Sequence, residues 1–198
     1  ALVGRQEGGR TLSREAVFAV LGWLHGFFNE NSAWATASAL QALTSFQRVV
    51  TLSISDANKR YMIEFEPLVD ILLECLLLDE ANRRYGQEGC EALQEASAGV
   101  IQELALYGPG CALLRSHGKV LSSLHRLVEV GTKVSKERGA AALFELDEDK
   151  REQASAALAS ESAGTAGSSS AVGDAALSLP HVMMSYNWDH QDVIVRVV

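Results

Sequence analysis

The segment CALLRSHGKVLSSLHRLV, residues 111–128, carries the clearest structural pattern in this chain. A short apolar part comes first and is interrupted at Gly118. In the second part Leu124 and Leu127 belong to an apolar stripe at helical spacing, which predicts an amphipathic helix. An Ala-bearing helix is predicted next, at residues 137–146. The order is therefore short helix, break, apolar helix and Ala-bearing helix.

The same order occurs earlier in the chain. Residues 58–72, NKRYMIEFEPLVDIL, contain a matching short helix and break, and Leu68 and Ile71 take the positions of the two leucines of the later unit. An Ala-bearing helix follows at residues 88–106, and residues 11–49 supply two helices of a degenerate first unit. A spacing of roughly 40–50 residues is typical of armadillo and HEAT units.

This order of elements is that of an armadillo repeat, which residues 111–146 resemble most closely. The resemblance implies an all-α fold for residues 1–150, namely an armadillo/HEAT-like α-solenoid. Solenoids present extended binding surfaces, so we expect other proteins to bind in a groove along the Ala-rich helices. An unrelated helical bundle is the alternative fold.

Periodicity, caps and breakers predict where the helices lie. GPG at residues 108–110 is expected to end one helix, and within residues 1–150 only residues 49–54 have a strand preference. Residues 67–78 are apolar almost all round, so this helix should be covered on several sides. The last helix carries the apolar residues Ala140, Ala141, Leu143 and Phe144. Ser13 suits the N-terminus of the first helix. The predicted helices span about residues 13–29, 33–49, 56–61, 67–78, 87–107, 111–115, 120–128 and 134–146.

Trp34 lies in a segment that is similar to the groove-lining helix of nuclear-import armadillo proteins. In that family a Trp is followed four residues later by an Asn that holds the peptide backbone. Ser38 occupies the corresponding position here, so the resemblance does not extend to binding of nuclear signals. Trp34, Ser38 and Gln41 are nevertheless the predicted partner-binding residues of the groove.

Residues 151–179 are dominated by Ala, Ser and Gly and carry no apolar stripe, which predicts a flexible linker. Residues 180–198, PHVMMSYNWDHQDVIVRVV, return to an apolar strand, a polar turn and a helix. This ending resembles the start of a TIR domain, whose first strand ends in a Ser-Tyr pair. The resemblance implies that the first loop borders an NAD pocket in enzymatic members. The residues at that position are Tyr186, Asn187, Trp188 and Asp189.

In the TIR family the catalytic Glu and the self-association loop lie beyond the part that residues 180–198 resemble. The chain also starts at Ala1. We therefore expect it to be the middle of a longer protein, with no catalytic activity of its own. Homotypic TIR association is expected only of the complete protein.

Composition narrows the classes of partner. The formal net charge of -8 argues against nucleic acid and anionic membranes, because both need a basic face. Cys75, Cys90 and Cys111 include no C-x-x-C pair and are expected to be reduced, which favours a cytoplasmic location. No signal peptide and no apolar run of roughly 18 residues is present, so no membrane association is predicted.

The sequence also lacks the motifs of common cofactors and catalytic centres. The sequence contains no phosphate-binding, dinucleotide-binding or zinc-protease motif, and no cofactor is predicted. His117 and His125 lack a third ligand for zinc. Glu88, Glu91 and Glu95 are expected to form a solvated helix face.

Two functional hypotheses remain. In the first, the chain is a protein-binding armadillo-type scaffold of a TIR-domain signalling protein. In the second, it is the regulatory region of an armadillo–TIR NAD hydrolase whose catalytic part lies further along the protein.

Overall fold

The computed structural model of this protein describes residues 11–77, 79–80 and 82–147. Over these residues the fold is all-α, as predicted, and no strand is present. Residues 151–179 and 180–198, the predicted linker and TIR start, lie outside the described part. The helices are α1 (Arg14–Phe28), α2 (Ala39–Ser53), α3 (Asp56–Met62), α4 (Leu68–Leu76), α5 (Cys90–Ala105), α6 (Gly108–Ser116), α7 (Val120–Val130) and α8 (Lys133–Leu146).

The helices contact one another in three rows. α2, α5 and α8 lie side by side, with α5 touching both of its neighbours. α1, α4 and α7 form a second row in the same way, and α3 contacts α6 in a third. Along the chain, α3 is therefore followed by α4 of the second row and α5 of the first, and α6 is followed by α7 and α8 in the same way. None of the described helices is long and apolar enough to cross a membrane.

α2 begins later than the periodicity predicted. Residues 33–36 form turns, and the helix starts only after Ser38, which caps it. The strand preference of residues 49–54 is also overridden, because α2 continues to Ser53. Val49 and Leu52 lie on the same buried face as Phe46, so helical packing against the core outweighs the local preference of β-branched residues.

The helix predicted to stop at GPG, residues 108–110, does end before it, since α5 ends at Ala105, but GPG itself forms the first turn of α6, which was predicted to start only at residue 111. Proline is tolerated in a first helical turn, where its missing N–H would have no intrahelical partner. A Cβ at Gly110 would lie 2.5 Å from the carbonyl oxygen of Leu104. Glycine therefore allows α6 to start directly against the end of α5.

α4 is buried on nearly all sides, as predicted. Leu72 is fully buried, and Val69 and Leu73 on other sides of the helix are buried as well. The neighbours that cover it are α1, α5 and α7. A helix at the centre of packed rows can bury an apolar surface that an outer helix of a bundle would expose to water.

The apolar residues Ala140, Ala141, Leu143 and Phe144 are not the residues that α8 buries. Ala140 and Phe144 are exposed, and Leu143 is only partly buried. The helix packs instead through small residues, and a Cβ at Gly139 would lie 3.0 Å from a methyl group of Leu127. The buried residues of α8 are Ser135, Gly139, Ala142 and Leu146.

The end of α1 is held by an arginine in the interior. Arg84 is almost completely buried and donates from Nη2 to the carbonyl oxygen of Phe27 at 2.6 Å. Its guanidinium carbon also lies 4.6 Å from the centre of the Phe28 ring. Burial lowers the pKa of Arg84, although the nearby carboxylate of Glu74 opposes this effect.

All three cysteines are free and buried. Burial raises the pKa of the Cys75 thiol well above its usual range, and the neighbouring Glu74 carboxylate adds to the effect. Burial also raises the pKa of Cys90. These thiols should therefore stay protonated in the folded protein at pH values where free thiols ionise.

We expect alkaline pH to destabilise the protein through Cys75. Below the pKa of an unfolded thiol, about 8.5, the folded and unfolded states hold the same proton. Above it the unfolded state loses this proton first, so stability should fall by up to about 1.4 kcal/mol per pH unit. Urea titrations of wild type and Cys75→Ala between neutral and alkaline pH measure the effect. Parallel pH profiles for the two proteins would contradict it.

Candidate functional site

An open cavity of about 400 Å³ lies on the surface where α2, α5 and α8 meet. We call it the α2–α5–α8 groove. Its lining residues are Leu43, Gln47, Val50 and Thr51 of α2, Ala92, Glu95 and Ala96 of α5, and Arg138 of α8.

Helical spacing explains why these side chains share one surface. On α2 the lining positions Leu43, Gln47 and Val50 are four and three residues apart, so they lie on one face. The buried positions Ala42 and Phe46 are displaced around the helix and face the core. α2 thus uses one face for the core and another for the groove.

Two of the three residues of α5 that face the groove are small. Ala92 and Ala96 are four residues apart and leave room between the two flanking helices. Leu93, Val100 and Leu104 of α5 are fully buried in the core.

Glu95 is the acidic member of the groove. It was predicted to lie on a solvated face with Glu88 and Glu91, but it is only partly exposed. The Thr132 hydroxyl donates to its Oε1 at 2.9 Å. Its carboxylate is therefore engaged at the junction that leads into α8.

Arg138 is the basic member of the groove and is partly buried. Its Nη1 donates to the main-chain carbonyl oxygen of Glu95 at 2.5 Å. It makes no ion pair with any described residue. The positively charged guanidinium of Arg138 thus lies beside an apolar lining. Most of its N–H groups donate to no residue in the part of the chain described.

The predicted groove residues lie elsewhere. Ser38 and Gln41 are brought together, because the Gln41 backbone N–H donates to Ser38 Oγ at 3.3 Å and the Ser38 N–H donates to Gln41 Oε1 at 2.9 Å. This reciprocal pair is a capping box that starts α2. Neither residue lines the α2–α5–α8 groove.

Trp34 belongs to the turns before α2 and not to a helix. It is 47% exposed, and its ring lies 5.7 Å from that of Trp23 and 5.9 Å from that of Phe27. Trp34 therefore packs on α1, whereas Ser38 and Gln41 cap α2. Tyr186, Asn187, Trp188 and Asp189 lie outside the described residues.

The histidines do not converge on a metal site. His117 ends α6 and its Nε2 lies 3.4 Å from Oδ1 of Asp70, whereas His125 is exposed on α7. Within the described part of the chain no three His, Cys, Asp or Glu side chains are grouped as metal ligands.

Sequence reasoning missed Arg138, Gln47 and Thr51 as groove residues. Nothing in the local pattern distinguishes them from other polar residues on exposed helix faces. The small residues Ala92 and Ala96 were a usable signal, since they recur on one face of a helix predicted to lie in a repeat.

Comparisons with known proteins identify no relative. No protein-family model, no curated protein and no solved structure matches the chain.

Proposed function

We propose that the described helices are armadillo-type repeats that bind other proteins through the α2–α5–α8 groove. The observation that carries this proposal is the position of α5, which contacts both α2 and α8 and shares one open cavity with them. The recurring order of helices supports it as well. α3, α4 and α5 are followed by α6, α7 and α8 in the same three rows.

The chemistry of the groove suits an extended peptide segment. A cavity of about 400 Å³ has the volume of a ligand pocket. Leu43, Val50 and Ala92 offer an apolar wall for a side chain, while Gln47 and Thr51 can exchange hydrogen bonds with a peptide backbone. The proposal gives these residues a binding role and not a catalytic one.

The proposal also places this binding module in a signalling protein with a TIR domain. Its support is the sequence of residues 180–198, with Ser185-Tyr186 at the end of the predicted first strand. A cytoplasmic location is part of the proposal, and the three free thiols support it because cytosolic proteins rarely form disulfides.

We expect Ala92→Trp to abolish peptide binding in the groove. Ala92 is partly exposed and lines the cavity, so an indole ring there would fill the space that a ligand needs. Peptides selected from a random display library against the wild-type chain are the probes. Their affinities, measured by interferometry, should fall more than about tenfold, equivalent to about 1.4 kcal/mol.

The matched control is Ala112→Trp, which adds the same ring at an exposed position of α6, outside the groove. It should bind the selected peptides as wild type does, and circular dichroism should show that both variants keep their helices. The proposal is wrong if the library yields no binding peptide, or if Ala92→Trp leaves every selected peptide bound.

A further inference from the structure

Most N–H groups of the Arg138 guanidinium, which lines the groove, donate no hydrogen bond to a described residue. The single hydrogen bond of its guanidinium to a described residue runs from Nη1 to the backbone oxygen of Glu95. The remaining N–H groups have no described acceptor, and arginine stays protonated at any physiological pH. The groove therefore contains a permanent positive charge without a carboxylate partner in the part of the chain described.

The place of this charge is set by a glycine. A Cβ at Gly99 of α5 would lie 2.8 Å from Nη1 of Arg138 and 3.3 Å from its Cζ. Only a residue without a side chain lets the guanidinium lie against α5 at that point. The same contact holds the side chain of Arg138 across the gap between α5 and α8.

The neighbouring acid does not neutralise Arg138. The Glu95 carboxylate accepts a hydrogen bond from the Thr132 hydroxyl, and Arg138 binds the main-chain oxygen of Glu95 instead. A planar guanidinium with free N–H groups matches the two oxygens of a carboxylate. The adjacent lining, Leu43, Val50 and Ala92, matches an aliphatic side chain.

We infer that the ligand of the α2–α5–α8 groove is an acidic peptide segment of a partner protein. One Asp or Glu side chain of the segment pairs with Arg138, and a neighbouring aliphatic side chain packs on Leu43 and Val50. This inference rests on the proposed function and adds the charge of the ligand to it. Charge complementarity at Arg138 selects the occupant, and the apolar wall beside it favours a peptide over a free anion.

The test uses peptides selected from a random display library against the complete chain. We expect enrichment of sequences with Asp or Glu next to an aliphatic residue. In each selected peptide, changing the acid to its amide should weaken binding about tenfold or more, which is the range of one hydrogen bond between charged groups. High salt should weaken the acidic peptide more than its amide form.

Three variants identify the residue responsible. Arg138→Gln should weaken the acidic peptides about tenfold and bind the amide peptides as wild type does. Lys133→Gln removes the same charge from an exposed position of α8 outside the cavity and should change neither affinity. Gly99→Ala keeps every charge but displaces the guanidinium, so it should also reduce the preference for acidic peptides.

The outcomes separate this inference from the proposed function. Suppose that the selected peptides bind in the groove, so that Ala92→Trp abolishes their binding. If these peptides lack Asp and Glu, or if they bind Arg138→Gln as tightly as wild type, the inference alone is overturned. A library that yields no groove-dependent peptide would overturn both. A further outcome is that free phosphate competes with the peptides while the aliphatic residue of the peptide proves unnecessary for binding. This outcome would overturn the inference, because the groove would then bind a simple anion and not a peptide.

Discussion

The double variant Asp56→Asn/Glu103→Gln is expected to lose about 3–5 kcal/mol of unfolding free energy. Both replaced carboxylates face Lys59 of α3, which is completely buried. Its Nζ lies 2.8 Å from Oδ1 of Asp56 and 3.2 Å from Oε2 of Glu103 on α5. Without these charges the ammonium group would be buried uncompensated, and this is far less favourable than an exposed charge.

A thermodynamic cycle tests this explanation. Lys59→Met removes the buried charge and keeps an unbranched chain, so it should cost little by comparison. In the Lys59→Met background the two carboxylate replacements should cost less than about 1 kcal/mol. Urea unfolding followed by circular dichroism measures all four proteins. Equal losses in both backgrounds would show that the carboxylates act on something other than Lys59.

The second large effect is expected at Gln94, which is fully buried in α5. Its Nε2 donates to the carbonyl oxygen of Leu76 at 2.8 Å, and its Oε1 accepts from the backbone N–H of Thr132 at 3.2 Å. One side chain thus ties the end of α4 to the start of α8. Gln94→Leu should destabilise the protein by about 2–4 kcal/mol, because two backbone groups lose their partner.

Gln102→Leu is the control for this substitution. It makes the same chemical change on the same helix, where the side chain is partly buried and hydrogen-bonds to no described residue. It should change stability by less than about 1 kcal/mol. Amide exchange in α8 should rise only in Gln94→Leu. If the two variants unfold at the same urea concentration, Gln94 does not link these helices as described.

The sequence predicted the helices whose signals are local. Ser13 caps α1, and the N–H of Ala16 donates to its side chain. α7 begins at Val120, close to the predicted start, because the apolar stripe and the break before it are encoded in neighbouring residues. Ser38 and Gln41 also carry a local signal, since their spacing is that of a capping box, which is the role that they have in the structure.

Predictions failed where a distant segment determines the outcome. GPG at residues 108–110 was expected to separate two helices, but the close contact of Gly110 with Leu104 lets α6 begin at Gly108 itself. The apolar residues that the sequence offers in α8 stay exposed or partly buried, because the packing against Leu127 uses Gly139 instead. Both features depend on contacts between helices, and the periodicity of residues within one helix does not predict those contacts.

The candidate site shows the same division. Ala92 and Ala96 could be placed on one face of a helix from their spacing, and α4 could be recognised as a helix that needs cover on several sides. The chain by itself therefore determined an all-α fold with helices of the observed order. Which faces of α2, α5 and α8 meet, and that Arg138 lies on Gly99 between them, was decided only by tertiary packing. The physical reason is that helical periodicity is set by neighbouring residues, whereas a groove is the space left between helices that pack through their other faces.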